Sequence, residues 1–382
     1  VMAFGGVKLM KIELIIYVYL FICTGMIAFN IISVFVYHRR DIKTTRISRG
    51  FEETIKTELS NIKNGESVSE NHLNYMTAAL QREANMIAFN KVMDRICEAD
   101  SQTVKEYLIS LESVFVTVSE KYLRKDEIAA AYFPYIIGRY GILSEEPPEQ
   151  IVRMLFVLLD QPSIYSRENA MQALYTTGNT EYVVKALKNI DNGNHFYHSK
   201  LISDGLLRFK GEAATLQKKL WEEFETFSTE MKVTLLNYFR FSSGEYGDRF
   251  LTLMNDESRD DEIRFACIRY FGKYFYKEAE QALVFYADCD NGLREEYCII
   301  ASMALALYPG EQTVKTLKKN LGNRNWYIRY NSSASLEKLG MTYLDLIDII
   351  EGSDRYASEI LRYRFDIRNV IEEEREEESP NE

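Results

Sequence analysis

His195 and His198 stand three residues apart in the run His195-Phe196-Tyr197-His198, a spacing that puts two imidazoles on one helix face and could share a metal ion. No third ligand is close in sequence, and the pair falls in a boundary rich in turn residues. A solvated loop or helix start is therefore the better reading, and no metal is assigned. Carboxylates cluster at Asp260-Asp261-Glu262 and Glu295-Glu296, as general acid–base chemistry would need. Both clusters fall at expected helix starts, where negative charge meets the positive end of the helix dipole, and that role accounts for them. The chain has no glycine-rich phosphate loop, no Ser-His-Asp arrangement with context and no Cys-x-x-Cys. The expectation is a chain without a cofactor that is not an enzyme.

Recognition chemistry is better represented. The chain holds 26 tyrosines and 21 phenylalanines. They are dense at 132–140, 269–276 and 325–331. Filling the gaps between stacked helices is the first use of so many rings. The alternative sets Tyr140, Tyr270 and Tyr330, each beside an arginine, on a recognition face together with Arg329, since Tyr and Arg are favoured interface anchors.

The elements that position these groups recur at a fixed interval. Arg167, Lys200, Lys232, Arg264, Glu296 and Arg329 are 32 or 33 residues apart. Seven residues after each stand Leu174, Leu207, Phe239, Phe271, Met303 and Leu336, and three of the six stretches close on a glycine four residues later (Gly178, Gly211, Gly340). A period of this size specifies stacked helical pairs. The units run 163–191, 196–225, 228–255, 258–287, 292–321 and 325–352, with 126–159 as a less regular first pair. The fold class is all-α: an α-solenoid over 126–371 with a cap helix at 354–371, preceded by a helical block at 67–125.

Leu14–Tyr37 is 24 residues without a charge. At about 1.5 Å per residue it covers a hydrocarbon core of about 30 Å with some tilt. It is longer than the apolar core of a signal peptide and no small-residue cleavage site follows, so an uncleaved anchor is expected. Residues 1–13 precede it as a short segment. The opening 1–13 reads as the product of an upstream start, with Met10 the natural one. After the span, Arg39, Arg40, Lys43, Arg46 and Arg49 against Asp41 make His38–Arg49 +4, within a basic stalk at 38–66. The basic flank predicts an outer N-terminus and a cytoplasmic bulk. Asn30, the most polar group in the span, is a candidate contact to a neighbouring membrane helix.

Net charge is −11, from 46 basic and 57 acidic residues, and Glu372–Glu382 alone carries −6 as an expected disordered tail. An acidic body argues against a nucleic-acid groove. Five cysteines at positions 23, 97, 267, 289 and 298 show no metal-type spacing and no even framework, and read as reduced, mostly buried thiols.

Asn325-Trp326-Tyr327-Ile328-Arg329, followed by Ser332-Ser333-Ala334-Ser335-Leu336 and Gly340, resembles the first helix of a HEAT repeat. Ile263-Arg264-Phe265-Ala266 with Phe271-Gly272 is similar, as is Arg167 with Ala170, Leu174 and Gly178. The short period is closer to the phycobilin-lyase-like type. The inter-repeat Asp–Arg ladder of that family is poorly kept, with Gln161, Ser258 and Asn323 six residues before the arginines. The resemblance implies an adaptor or scaffold. The expected function is a bacterial-type, single-pass membrane scaffold whose cytoplasmic solenoid binds a protein partner, such as a membrane enzyme complex of envelope or polysaccharide assembly. Small-molecule and nucleic-acid ligands are not expected. The alternatives are an extracytoplasmic peptide- or glycan-binding module and a lyase-like HEAT enzyme.

Overall fold

The computed structural model describes residues 3–97 and 101–364, and among them every regular element is a helix. The acidic tail and the end of the expected cap helix lie outside the described residues; 355–364 is helical. Two compact units result, Val1–Asn179 and Thr180–Glu382.

In the first unit, α1 (Ala3–Lys63) is one unbroken helix of 61 residues. The side chains described between Leu14 and Tyr37 are exposed, apart from half-buried Cys23 and Ser33. Its later turns bury Ser48, Phe51, Ile55 and Glu58. These turns pack on α3 (Glu83–Cys97) and α4 (Ser101–Ser110), so the segment expected as a stalk is part of the domain's own core. Glu58 fixes the next turn by accepting from the backbone N–H of Ser69 (3.0 Å) and from its hydroxyl (2.6 Å). Ser69 then caps α2 (Glu70–Leu80), which packs on α5 (Glu112–Leu123). The unit closes with α6 (Glu127–Tyr140), α7 (Glu149–Leu159) and α8 (Ile164–Thr177). Gly138 lets α6 lie against α8, because a Cβ there would sit 2.9 Å from the Ala173 amide nitrogen.

The second unit pairs short helices. Its first helices are α10 (Ser199–Leu206), α12 (Thr229–Ser242), α14 (Asp261–Phe271), α16 (Glu295–Ala304) and α18 (Trp326–Lys338), and each packs on the next. On the other layer α9 (Thr180–Asn192) meets α11 (Ala213–Glu222), and α15 (Glu280–Ala287) meets α17 (Glu311–Asn320). Two more second helices, α13 (Gly247–Asn255) and α19 (Ile347–Ile350), follow the same order. Bonds between pairs link residues one repeat apart: Ser335 Oγ donates to Ser302 O (2.7 Å), Asn331 Nδ2 to Ile299 O (2.8 Å) and Tyr286 Oη to Met254 O (2.8 Å). Each pair thus contacts its neighbours, as in a stack of repeats.

The repeating arginines are buried and bond to backbone. Arg329 Nη1 donates to Asn323 O (2.7 Å) and Arg324 O (2.9 Å), and Arg264 Nε to Met254 O (3.1 Å). In the first unit Arg167 Nη1 does the same to Gln161 O and Pro162 O, both at 2.7 Å. The acceptors six residues back are carbonyls, so the side chain at that position is free to vary. Lys200 and Glu296, at the same place in the period, are exposed. Leu207 and Met303 after them are exposed too, with Leu206 and Ala304 buried beside them.

One expectation about the cysteines is corrected. Cys289 and Cys298 form a disulfide, their Cα atoms brought to 5.5 Å by the turn between α15 and α16. Cys267 is a buried thiol and Cys97 an exposed one.

Candidate functional site

Of the four residues expected on one recognition face, Tyr140 belongs to the first unit and Tyr270, Arg329 and Tyr330 to the second. Tyr140 is half-buried, and its hydroxyl donates within a network that holds α6 to α3 through Asn90 Oδ1 and Asp94 Oδ1, both at 2.7 Å. Burial first, and the Asp94 carboxylate second, push its phenol well above the ordinary tyrosine value. Tyr270 lies in the core of the second unit, stacked on Phe250 with ring centroids 3.8 Å apart. Its hydroxyl accepts the Tyr246 N–H at 3.0 Å, and burial pushes its pKa up to about 12. Tyr270 is thus a packing residue and presents nothing to a partner. Arg329 is equally committed to its turn carbonyls, with its guanidinium over the Tyr356 ring at 4.9 Å. Tyr330 stacks on half-exposed Trp326 at 4.9 Å, and the Arg364 guanidinium lies 4.7 Å above it. Asn30 is exposed on the apolar stretch of α1.

The histidine pair does not converge. His198 Nδ1 accepts from the Lys200 N–H (3.1 Å) and caps α10, while His195 lines a cleft of about 460 Å³ with Asp191, Phe196 and Ser228. No group of three His, Cys, Asp or Glu side chains among the described residues is placed to hold a metal. The acidic clusters are structural. Asp260 caps α14, and Asp261 accepts from Arg294 (2.8 Å) and from the Tyr297 hydroxyl (2.6 Å). The Tyr297 bond is the largest influence holding the Asp261 carboxyl below the usual range.

A different surface emerges at the C-terminal ends of α12 and α14. Phe241 is 49% exposed and sits between two cations, the Arg240 guanidinium 4.6 Å from its centroid and Lys273 Nζ 4.8 Å from it. Lys273 also lies 5.2 Å from the Tyr274 ring, and Phe275 beside it is 57% exposed. Arg240 Nε is buried without a hydrogen-bond partner. Burial, then the neighbouring charge of Arg269, hold the Arg240 guanidinium below the ordinary arginine value. Among the described residues no carboxylate pairs with Arg240, Arg269 or Lys273. Elsewhere in the same unit Lys188, Lys219, Lys232, Arg259, Arg294 and Lys319 all do pair. Cations at helix C-termini suit the dipole, which explains their position but leaves the guanidinium fork unfilled. Sequence reasoning missed this site by weighing the tyrosine next to each arginine and passing over the phenylalanine.

No protein family and no curated protein matches this chain. A solved structure of human deoxyhypusine hydroxylase in complex with glycerol is similar to it at 15% identity, covering 79% of this chain and 97% of that one, with a TM-score of 0.27. Against the expectation that the chain is not an enzyme, this match bears an enzyme's name. At this similarity neither the activity nor the substrate passes to this chain.

Proposed function

We propose that this chain is a membrane-anchored, HEAT-like helical repeat protein whose stacked pairs hold a protein partner close to the bilayer. Two features support the reading. The first half of α1 is long and apolar enough to cross a membrane, and the same helix runs without a break into the core of the first unit. The observation that carries partner binding is the Arg240–Phe241–Lys273 cluster, where half-exposed rings and unpaired cations share one surface. Membrane attachment raises effective concentration toward membrane-bound partners. An enzyme complex of envelope or polysaccharide assembly is one such client. A photo-crosslinking residue at Phe275, used in intact membranes, tests the reading. A discrete adduct that is lost on Lys273→Glu is the expected result, and absence of any adduct across the exposed positions of α12 and α14 refutes it.

The basic flank after the span supports a cytoplasmic bulk. A second reading puts the repeats outside, and the Cys289–Cys298 disulfide favours it, since disulfides persist in oxidising compartments. An engineered thiol at exposed Glu257, in a Cys97→Ser background, decides between them. Reaction with an impermeant reagent in intact cells would sink the cytoplasmic placement.

A further inference from the structure

The basic–aromatic pairing at α12 recurs at the interval of the repeat. Arg208-Phe209-Lys210 follows the end of α10, Arg240-Phe241 ends α12, and Lys273-Tyr274-Phe275 follows α14. The cations Arg208, Arg240 and Lys273 are 32 and 33 residues apart. Because α10 packs on α12 and α12 on α14, these three ends follow one another along the same edge of the stack. Packed helices lie about 8–10 Å apart, close to one turn of an extended polyproline II chain, which has three residues per turn at about 3.1 Å each and so returns every third side chain to the same face.

We propose that this edge binds an extended acidic peptide segment of a partner protein, with a carboxylate at about every third residue facing Arg208, Arg240 and Lys273 in turn and apolar side chains resting on Phe241 and Phe275. The proposal rests on the partner-binding reading and adds the chemistry of the partner. Four observations bear on the choice of occupant. Among the described residues no carboxylate pairs with Arg208, Arg240 or Lys273, and in a chain whose net charge is −11 they stand out against a field that otherwise repels acidic ligands. Arg240 keeps a buried, unbonded Nε, and a carboxylate accepts two parallel bonds from a guanidinium. Burial first and the Arg269 charge second disfavour the Arg240 cation, a cost that an anion beside Arg240 offsets. Finally, exposed rings at Phe241 and Phe275 favour a ligand with apolar side chains over a bare polyanion.

The test is fluorescence anisotropy with the full chain in neutral-lipid nanodiscs and two labelled peptides of equal composition. One carries Glu at every third position with Phe and Ala between, and the other has its Glu residues grouped at one end. The patterned peptide is expected to bind, to weaken as salt rises, and to lose affinity by about tenfold for Lys273→Glu and for Arg240→Ala, the loss that one charged contact of about 1.4 kcal/mol gives. Lys273 is exposed, so its variant keeps the test meaningful if Arg240→Ala folds poorly. Failure of the patterned peptide to bind, or binding indifferent to both substitutions, overturns the proposal. Equal affinity for the two peptides overturns the three-residue register. Displacement by inorganic polyphosphate at matched charge, with no contribution from Phe241→Ala, overturns the peptide in favour of a plain anion site. A crosslink at Phe275 in membranes without peptide binding leaves partner recruitment standing and rejects only this chemistry.

Discussion

Arg264→Met isolates what a repeating arginine contributes. Arg264 is 7% exposed; its Nε donates to Met254 O at 3.1 Å and its Nη2 to Tyr286 Oη at 2.9 Å. Its guanidinium lies 5.4 Å from the Tyr286 ring and 5.0 Å from the Tyr297 ring, which are stacked on each other. Hydrogen bonds from charged groups contribute roughly 1.5–3 kcal/mol each. Against that, Met254 O keeps its bond from Tyr286 Oη at 2.8 Å, Met fills the volume of the aliphatic stem, and no charge remains to be desolvated. The expected net loss is about 2 kcal/mol, or about 30-fold in a local opening equilibrium. Hydrogen exchange of the α14 amides reads it directly. Faster exchange is expected in α14 and its packing neighbours α12 and α16, with α10 unchanged, because each pair contacts only its neighbours. Arg264→Lys keeps the charge but not the planar fork, and is expected to lose nearly as much. A change below about threefold in α14, or one spread evenly over the unit, refutes the claim that these arginines fix their own turns.

Four further outcomes follow from the packing and the charges. Ser332 Oγ is fully buried and unbonded, so Ser332→Ala is expected to leave α18 unchanged or stabilise it by up to about 1 kcal/mol, and a clear destabilisation in the same exchange experiment counts against the placement. Gly138→Ala drives a methyl into the α8 backbone and is expected to cost about 1–3 kcal/mol, seen as a lower melting temperature for the first unit; an unchanged melt contradicts the close approach. The Glu225 carboxyl is held down to about 2, by Arg259 first and then Lys232. A carboxylate with a depressed native pKa stabilises above its unfolded value of about 4.3, and loses that contribution as pH falls toward 2. Glu225→Gln is therefore expected to flatten the stability profile in that window alone, and an unaltered profile refutes the pairing. Mass spectrometry after alkylation is expected to show two more modified cysteines when reduction comes first, and equal masses exclude the Cys289–Cys298 bond.

The period of the repeats was visible because core side chains must recur with the helices they face. Leu174, Phe239, Phe271 and Leu336 are all buried where the spacing puts them. What the sequence hid is mostly backbone chemistry. The weak Asp–Arg ladder looked like decay, yet Arg167 and Arg329 bond to main-chain carbonyls, which any residue supplies. Tyr270 beside Arg269 looked like a surface pair, but helical geometry turns adjacent residues about 100° apart, sending one ring inward and one cation out. The recognition chemistry lies instead at the Arg240–Phe241 end of α12, where the Phe241 ring is half-exposed and the half-buried Arg240 guanidinium lies against it. The cysteine bond was illegible because a sequence separation of nine says nothing of how a turn folds back.

The unbroken course of α1 makes the distance and bearing of the domain a matter of residue counting. From Tyr37 to Ser48, the first described buried residue beyond the span, eleven helical steps rise about 17 Å. One residue inserted there lifts the first unit by about 1.5 Å and swings it by about 100° around the helix axis, while seven restore the bearing to within about 20°. Under the anchoring proposed above, the first unit would keep a compass heading in the plane of the bilayer. On that proposal a neighbouring membrane protein would meet one chosen side of it, and the length of α1 between Tyr37 and Ser48 would do the choosing.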